Sequence, residues 1–149
     1  MSALALPRTI EWVGGLEGCV RMIDQTRLPG ELVFLECHDV DTLWEAIRNL
    51  RVRGAPAIGV AAAMGIALGA RQLKKIENPA EFDRLCQVFA ATRPTAVNLF
   101  WAIERMRRVY TRTRQHSREV LCARLEREAL KVHDEDIAAN RRMGRYGAT

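Results

Sequence analysis

Two arginines precede prolines at points where helices are expected to begin, and both are suited to binding an anion. Arg53 leads through Gly54 and Ala55 into a proline, and Arg93 stands directly before Pro94. Proline fits the first helical position because its missing N–H would have no partner there. Free N–H groups of a first turn attract phosphate, and a guanidinium group matches phosphate with a planar fork. If the two helix starts lie side by side, the sequence predicts one phosphate site.

A plainer interpretation of both segments stays open at this point. Residues 54–70 carry no charge and are mostly alanine and glycine. They could form an ordinary buried helix that happens to follow a surface arginine. Arg93, in the same way, could only cap its helix or form a salt bridge.

The length and composition indicate a globular protein of one domain. The chain has 149 residues, of which 48% are hydrophobic and 28% charged, values typical of soluble domains with a substantial core. The uncharged run at 54–70 is shorter than the ~20 apolar residues that a bilayer crossing needs. No basic segment leads into an apolar stretch at the N-terminus, so we expect a cytoplasmic protein without a membrane partner.

The cysteines and histidines show no metal-ligand or nucleophile spacing. No CxxC pair occurs among the seven residues, which are Cys19, Cys37, Cys86, Cys122, His38, His116 and His133. We expect free, mostly buried thiols and no metal site.

The net charge of +5 comes from the last third of the chain. Residues 101–149 hold twelve Lys/Arg against seven Asp/Glu. Half of those twelve form a cluster, Arg105, Arg107, Arg108, Arg112, Arg114 and Arg118. Nucleic-acid surfaces interleave such charges with aromatic residues, and only Tyr110 does so here. A solvated face is therefore favoured over a nucleic-acid surface.

The hydrophobic periodicity predicts an α+β, mostly α, fold. Residues 9–13, 19–23 and 32–35 are β-prone and separated by glycine-rich turns, which indicates a small N-terminal antiparallel β-meander. Helical spacing then predicts a bundle of about five helices. The single N-terminal domain 1–149 is thus divided into a meander, 1–38, and a helical bundle, 39–149.

Helix boundaries and buried faces follow from capping signals and apolar spacing. The first helix begins behind Asp41 or Thr42 with Glu45 completing a capping box, and the second covers residues 56 to about 75. Asn78 and Pro79 open the third over 80–91, Pro94 opens the fourth to about residue 114, and Ser117 caps the last. The faces expected to be buried in the last three include Phe82, Leu85, Cys86, Val88 and Phe89, then Val97, Phe100, Trp101, Ile103 and Met106, then Val120, Leu121, Leu125, Leu130 and Ile137.

Four segments in order carry a family resemblance. They are Asp24-Gln-Thr-Arg-Leu-Pro-Gly, residues 52–59 (Val-Arg-Gly-Ala-Pro-Ala-Ile-Gly), residues 93–99 (Arg-Pro-Thr-Ala-Val-Asn-Leu) and residues 136–144 (Asp-Ile-Ala-Ala-Asn-Arg-Arg-Met-Gly). Together they resemble methylthioribose-1-phosphate isomerases. The wider family includes ribose-1,5-bisphosphate isomerase and the regulatory subunits of translation initiation factor 2B. The amino-acid sequences of the second and third segments favour the isomerase.

The resemblance implies an aldose-ketose isomerase of methionine salvage that converts 5-methylthioribose 1-phosphate into 5-methylthioribulose 1-phosphate without cofactor or metal. It assigns Arg53, Gly54, Ala55 and Arg93 to binding the phosphorylated sugar. It supplies no role for Asn98 beyond supporting its loop, and Arg51 is interpreted as an accessory surface charge.

The same resemblance places the catalytic cysteine and aspartate in a Rossmann-like C-terminal domain that would follow residue 149. We therefore expect no catalytic residue in this chain, an inactive isolated chain and a homodimer in the full-length protein. The alternatives are a non-catalytic binding or scaffold module akin to the initiation factor subunits, or ribose-1,5-bisphosphate isomerase.

Overall fold

A three-stranded antiparallel sheet precedes five α-helices in the part of the chain that the structure describes. The computed structural model describes residues 9–52, 54–93 and 96–147, with the backbone alone at Ala55, Asn140 and 143–147. The strands, in sheet order, are β1 (Ile10–Val13), β2 (Cys19–Ile23) and β3 (Phe34–Cys37). The helices are α1 (Val40–Arg48), α2 (Ala55–Gln72), α3 (Pro79–Ala90), α4 (Val97–Thr113) and α5 (Arg118–Gly147). The predicted α+β, mostly α, fold is confirmed.

The register of the sheet decides which strand residues are buried. Ile10 pairs with Met22, and Val20 pairs with Cys37; all four are at most 2% exposed. The third strand was predicted at 32–35 but lies two residues later. The later position buries Cys37 in the core, whereas Leu32 is 57% exposed.

Helix α2 runs through the centre of the bundle and packs closely on its neighbours. A Cβ atom added at Gly65 would lie 2.4 Å from Cζ of Phe89, and one at Gly69 would lie 2.6 Å from Cδ1 of Leu85. These two glycines therefore allow α3 to approach α2 closely. The helix ends at Gln72, three residues earlier than predicted.

The predicted start of α1 is wrong by two to three residues. Asp39, and neither Asp41 nor Thr42, is the N-cap, and its carboxylate accepts a hydrogen bond from the backbone N–H of Thr42 at 2.8 Å. Glu45 does not complete a capping box, because its carboxylate accepts from the guanidinium of Arg51.

The predicted buried face of α4 is wrong in part. Val97, Phe100 and Trp101 are 78%, 41% and 51% exposed. Apolar residues lie on two neighbouring faces of this helix. The face that is buried holds Leu99, Ala102, Ile103, Met106, Val109 and Tyr110. Val88 and Val120 are likewise exposed, on α3 and α5.

Among the helices described, none combines enough length with enough apolar character to cross a membrane.

Candidate functional site: two converging helix starts and an unpaired arginine

Helices α2 and α4 touch near their N-terminal ends. A Cβ atom added at Gly59 would lie 3.0 Å from the carbonyl oxygen of Asn98. Gly59 lies in the second turn of α2, and Asn98 is the second residue of α4. The adjacency that one shared anion site requires is therefore present. Asn98 lines this junction through its backbone.

Neither of these two helix starts carries a side-chain cap among the described residues. The other three helices do, with Asp39 on α1, Asn78 on α3 and Ser117 on α5. The last two caps were predicted. An uncapped first turn leaves N–H groups free for an anion, and the helix dipole adds a positive potential there. The two uncapped starts are the two that converge.

Gly54 holds the start of α2 open. Its φ is +91°, a conformation that favours glycine, and no heavy atom outside its chain neighbours lies within 4 Å of where its Cβ would be. Ala55 is the first helical residue, so Pro56 occupies the second position and not the first. Arg53 lies outside the described residues, and its predicted role stays a prediction.

Arg93 is half-buried, and two nitrogens of its guanidinium group are fully buried. Its Nε and Nη2 atoms have no hydrogen-bond acceptor among the described residues. Leaving buried charged donors unpaired costs several kcal/mol, which an anionic ligand would offset. Helix α4 was predicted to begin at Pro94 but begins three residues later, at Val97, after a turn in which the carbonyl oxygen of Arg93 accepts from the N–H of Ala96 at 3.0 Å. Pro94 lies outside the described residues.

A groove of about 410 Å³ lies beside the two helix starts. Its walls are Pro56, Gly59, Val97, Asn98, Trp101, Val132, Glu135 and Asp136. Most of this lining is apolar, with two carboxylates on the α5 side.

The two carboxylates of the groove differ in their partners. Both oxygens of Glu135 accept from Arg105, at 2.7 and 2.6 Å, and these hydrogen bonds hold the pKa of Glu135 below its usual value. Asp136 is half-buried and faces the same groove. Trp101 was predicted to be buried, and no role was predicted for Asp136. The signal that could have singled out Asp136 is its place at the head of the fourth matched segment.

Arg51 anchors the segment that leads into α2. Its guanidinium donates to Asp24 at 2.9 Å and to both carboxylate oxygens of Glu45 at 3.0 and 2.9 Å. Its carbonyl oxygen accepts from the N–H of Gln25 at 2.8 Å. The interpretation of Arg51 as an accessory surface charge is wrong. Asp24 and Gln25, in the first of the four segments, thus hold the residue that directly precedes the second segment, 52–59.

A protein-family model decides the assignment. The model described as the initiation factor 2 subunit family matches residues 51–149, which include both helix starts and the groove. The chain belongs to the initiation factor 2 subunit family. This agrees with the resemblance drawn from the four segments.

Curated relatives within this family are named as isomerases. The chain is 52% identical over 144 residues to methylthioribose-1-phosphate isomerase of Geotalea uraniireducens, covering 95% of this chain and 41% of the relative. The corresponding protein of Koribacter versatilis is 48% identical over 144 residues, covering 95% and 40%. The chain therefore spans about two fifths of the length of these relatives.

Two solved structures show the same fold. The 5-methylthioribose 1-phosphate isomerase of Pyrococcus horikoshii aligns with a TM-score of 0.86 at 42% identity, covering 96% of this chain and 40% of that one. Translation initiation factor eIF-2B subunit delta from A. fulgidus aligns with a TM-score of 0.84 at 41% identity, covering 96% and 41%. Both branches of the initiation factor 2 subunit family thus share this architecture.

Several arginines of the cluster at 105–118 form ion pairs or hydrogen bonds within the protein. Arg105 pairs with Glu128 and Glu135, and Arg107 pairs with Asp83. Arg118 donates to the carbonyl oxygen of Arg71 at 2.6 Å. Arg108, Arg112 and Arg114 are exposed as well.

The cysteines are free thiols, three of them buried. Burial raises the pKa of Cys37 and of Cys86 to about 12. A thiol with so high a pKa is not a nucleophile at neutral pH, which agrees with the expectation of structural thiols.

Proposed function

We propose that this chain is the substrate-binding N-terminal part of an aldose-ketose isomerase that converts 5-methylthioribose 1-phosphate into 5-methylthioribulose 1-phosphate. The observation that carries the proposal is the contact between two uncapped helix starts, with two unpaired, buried guanidinium nitrogens on Arg93 in the turn that leads into α4. The names of the relatives support the substrate and the reaction.

The phosphate is bound by the first-turn N–H groups of α2 and α4 and by Arg93, with Arg53, Gly54 and Ala55 completing the site as the resemblance implies. Phosphate accepts such hydrogen bonds in line with the helix dipoles. Asp136 is placed to accept hydrogen bonds from sugar hydroxyls, since an ionised carboxylate is an acceptor only. No cofactor or metal enters this scheme.

The described residues position the substrate and do not perform the chemistry. Moving hydrogen between two adjacent carbons needs an acid and a base at the reacting atoms. The family resemblance places a catalytic cysteine and aspartate in the remaining part of the longer proteins. Positioning lowers a barrier only when those groups are present, so we propose that the isolated chain is inactive. We also propose a cytoplasmic homodimer for the full-length protein.

Two measurements test the proposal. Calorimetric titration of the isolated chain with 5-methylthioribose 1-phosphate tests binding. A chimera in which this chain replaces the matching segment of the Geotalea uraniireducens relative tests turnover, read as ketose product in a coupled assay. Saturable binding together with an active chimera is expected. Absence of both would overturn the proposal.

A second candidate is a non-catalytic scaffold module, and the TM-score of 0.84 to the eIF-2B delta subunit favours it. It predicts binding to a protein or RNA partner through the exposed arginines Arg108, Arg112 and Arg114, with RNA affinity that falls steeply with salt. It also predicts an inactive chimera. RNA binding with an inactive chimera would favour this candidate over the isomerase; ribose-1,5-bisphosphate as the preferred sugar would instead indicate the third family branch.

A further inference from the structure

Three potential metal ligands lie close together on the outer face of the sheet, and none of them lines the groove. Pairing of Val20 with Cys37 sets Cys19 opposite His38, and the same register places Glu36 diagonally across from Cys19. Because alternate residues of a strand share a face, all three side chains project to the same side. The Cys19 Sγ, a Glu36 carboxylate oxygen and a His38 ring nitrogen lie within 4.8 Å of one another.

We propose that Cys19, Glu36 and His38 form a binding site for a zinc-class divalent metal ion, with the fourth coordination position open to solvent. Thiolate, imidazole and carboxylate are the three ligand types that zinc takes in proteins, and three protein ligands with one open position is a common zinc arrangement. No spacing along the chain indicates this site, because only strand pairing brings residue 19 next to residues 36 and 38.

The three ligand groups differ in exposure, and the nearby arginines make contacts with other residues. Glu36 and His38 are exposed, with His38 Nε2 3.5 Å from the Glu36 carboxylate, whereas Cys19 is buried beneath them. The two arginines near the thiol have other contacts. Arg21 stacks on the ring of Phe34, 4.2 Å from its centroid, and Arg71 donates to the carbonyl oxygens of Leu16 and Gly18.

Metal binding exchanges a proton for the metal ion at the sulfur. Burial and the Glu36 carboxylate raise the pKa of Cys19, so the unloaded site holds a thiol. On binding, the S–H bond breaks, the S–metal bond forms, and one proton is released to solvent. A bound ion would link β2 to the end of β3, an edge strand of the sheet, and would stabilise the folded state by mass action.

Cobalt(II) is the spectroscopic probe for this site, because thiolate coordination produces a sulfur-to-cobalt charge-transfer band. Titration of the reduced, metal-free chain is expected to reach saturation at about one Co²⁺ per chain, with that band present, and Zn²⁺ is expected to displace it. Cys19→Ser should abolish the band. His38→Ala and Glu36→Gln, which change exposed side chains, should each weaken binding about tenfold or more.

Matched controls are Cys122→Ser and His116→Gln, which alter a thiol and an imidazole elsewhere in the fold, and far-UV circular dichroism checks that each variant folds. Both controls should bind Co²⁺ as the wild type does. The proposal is overturned if the wild type gives no charge-transfer band, if Cys19→Ser keeps the band, or if folded His38→Ala and Glu36→Gln both bind with unchanged affinity.

Discussion

The guanidinium of Arg51 lies 2.9 Å from the carboxylate of Asp24, whose side chain is 3% exposed. This contact joins the turn after β2 to the segment that enters α2. Asp24 also accepts from the N–H and hydroxyl of Thr26, at 3.0 and 2.5 Å. The buried carboxylate is therefore fully hydrogen-bonded, and its contact with Arg51 holds the segment that leads into the proposed phosphate site.

Asp24→Asn is expected to lower the free energy of unfolding by about 2 kcal/mol at neutral pH, because a charge-assisted hydrogen bond is lost. Burial alone would raise the pKa of Asp24, but the hydrogen bonds from Thr26 and the charge of Arg51 lower it. A lowered native pKa contributes stability above the ordinary value of about 3.9 and loses it as the pH falls through the native value. Urea unfolding at neutral and acidic pH measures this.

The difference between wild type and Asp24→Asn should therefore shrink in acid. A difference that stays constant from neutral pH to about pH 2, below the ordinary aspartate value, would contradict the role given to the ionised carboxylate. Arg51→Met should destabilise at neutral pH by a similar amount, since Asp24 is then buried without its cation. Arg48→Met, an exposed arginine of α1, is the matched control and should have little effect.

Gly59→Ala is expected to weaken binding of 5-methylthioribose 1-phosphate by several-fold. Its Cβ would press on the backbone of Asn98 at 3.0 Å, and backbone at that distance moves only by separating the two helix starts. The readout is the dissociation constant from calorimetry, alongside urea unfolding.

Gly65→Ala is the control for this pair, because its Cβ would meet Phe89 at 2.4 Å in the core and not at the helix starts. It should cost roughly 1–3 kcal/mol of stability through overpacking, with unchanged affinity for the folded protein. If both substitutions reduced affinity equally, the contact of Gly59 with Asn98 would have no special role in the site.

The isolated chain should give no ketose product above background, since it supplies positioning without the reacting acid and base. A coupled assay at saturating 5-methylthioribose 1-phosphate measures this, with the chimera as the positive control. Turnover by the isolated chain would show that an acid–base pair lies within these 149 residues.

Local chemistry was enough to predict the sheet, the number of helices in the described chain and the caps at Asn78 and Ser117, because each depends on neighbouring residues alone. The errors arose where tertiary contacts choose between local options. Asp39 is preferred to Thr42 as a cap because Glu45 is occupied by Arg51, and α4 buries Leu99 and not Trp101 because α2 packs against that stripe.

In the candidate site, too, some features follow from neighbouring residues and others from tertiary contacts. The need for an open helix start at Gly54 follows from its own sequence, and the family followed from four short segments. The convergence of Gly59 with Asn98 and the position of Asp136 on the groove depend on how three helices pack, which no local pattern encodes. The meeting of Cys19 with His38 depends likewise on strand register.

The most direct test of the account is the affinity of Arg93→Ala for 5-methylthioribose 1-phosphate, measured by calorimetry beside the wild type and Arg108→Ala, which removes an exposed arginine of α4. Loss of one charged hydrogen-bonding partner, worth about 1.5–3 kcal/mol, predicts roughly 10- to 150-fold weaker binding for Arg93→Ala and unchanged binding for Arg108→Ala. Equal affinity of wild type and folded Arg93→Ala would contradict a phosphate site at the two helix starts.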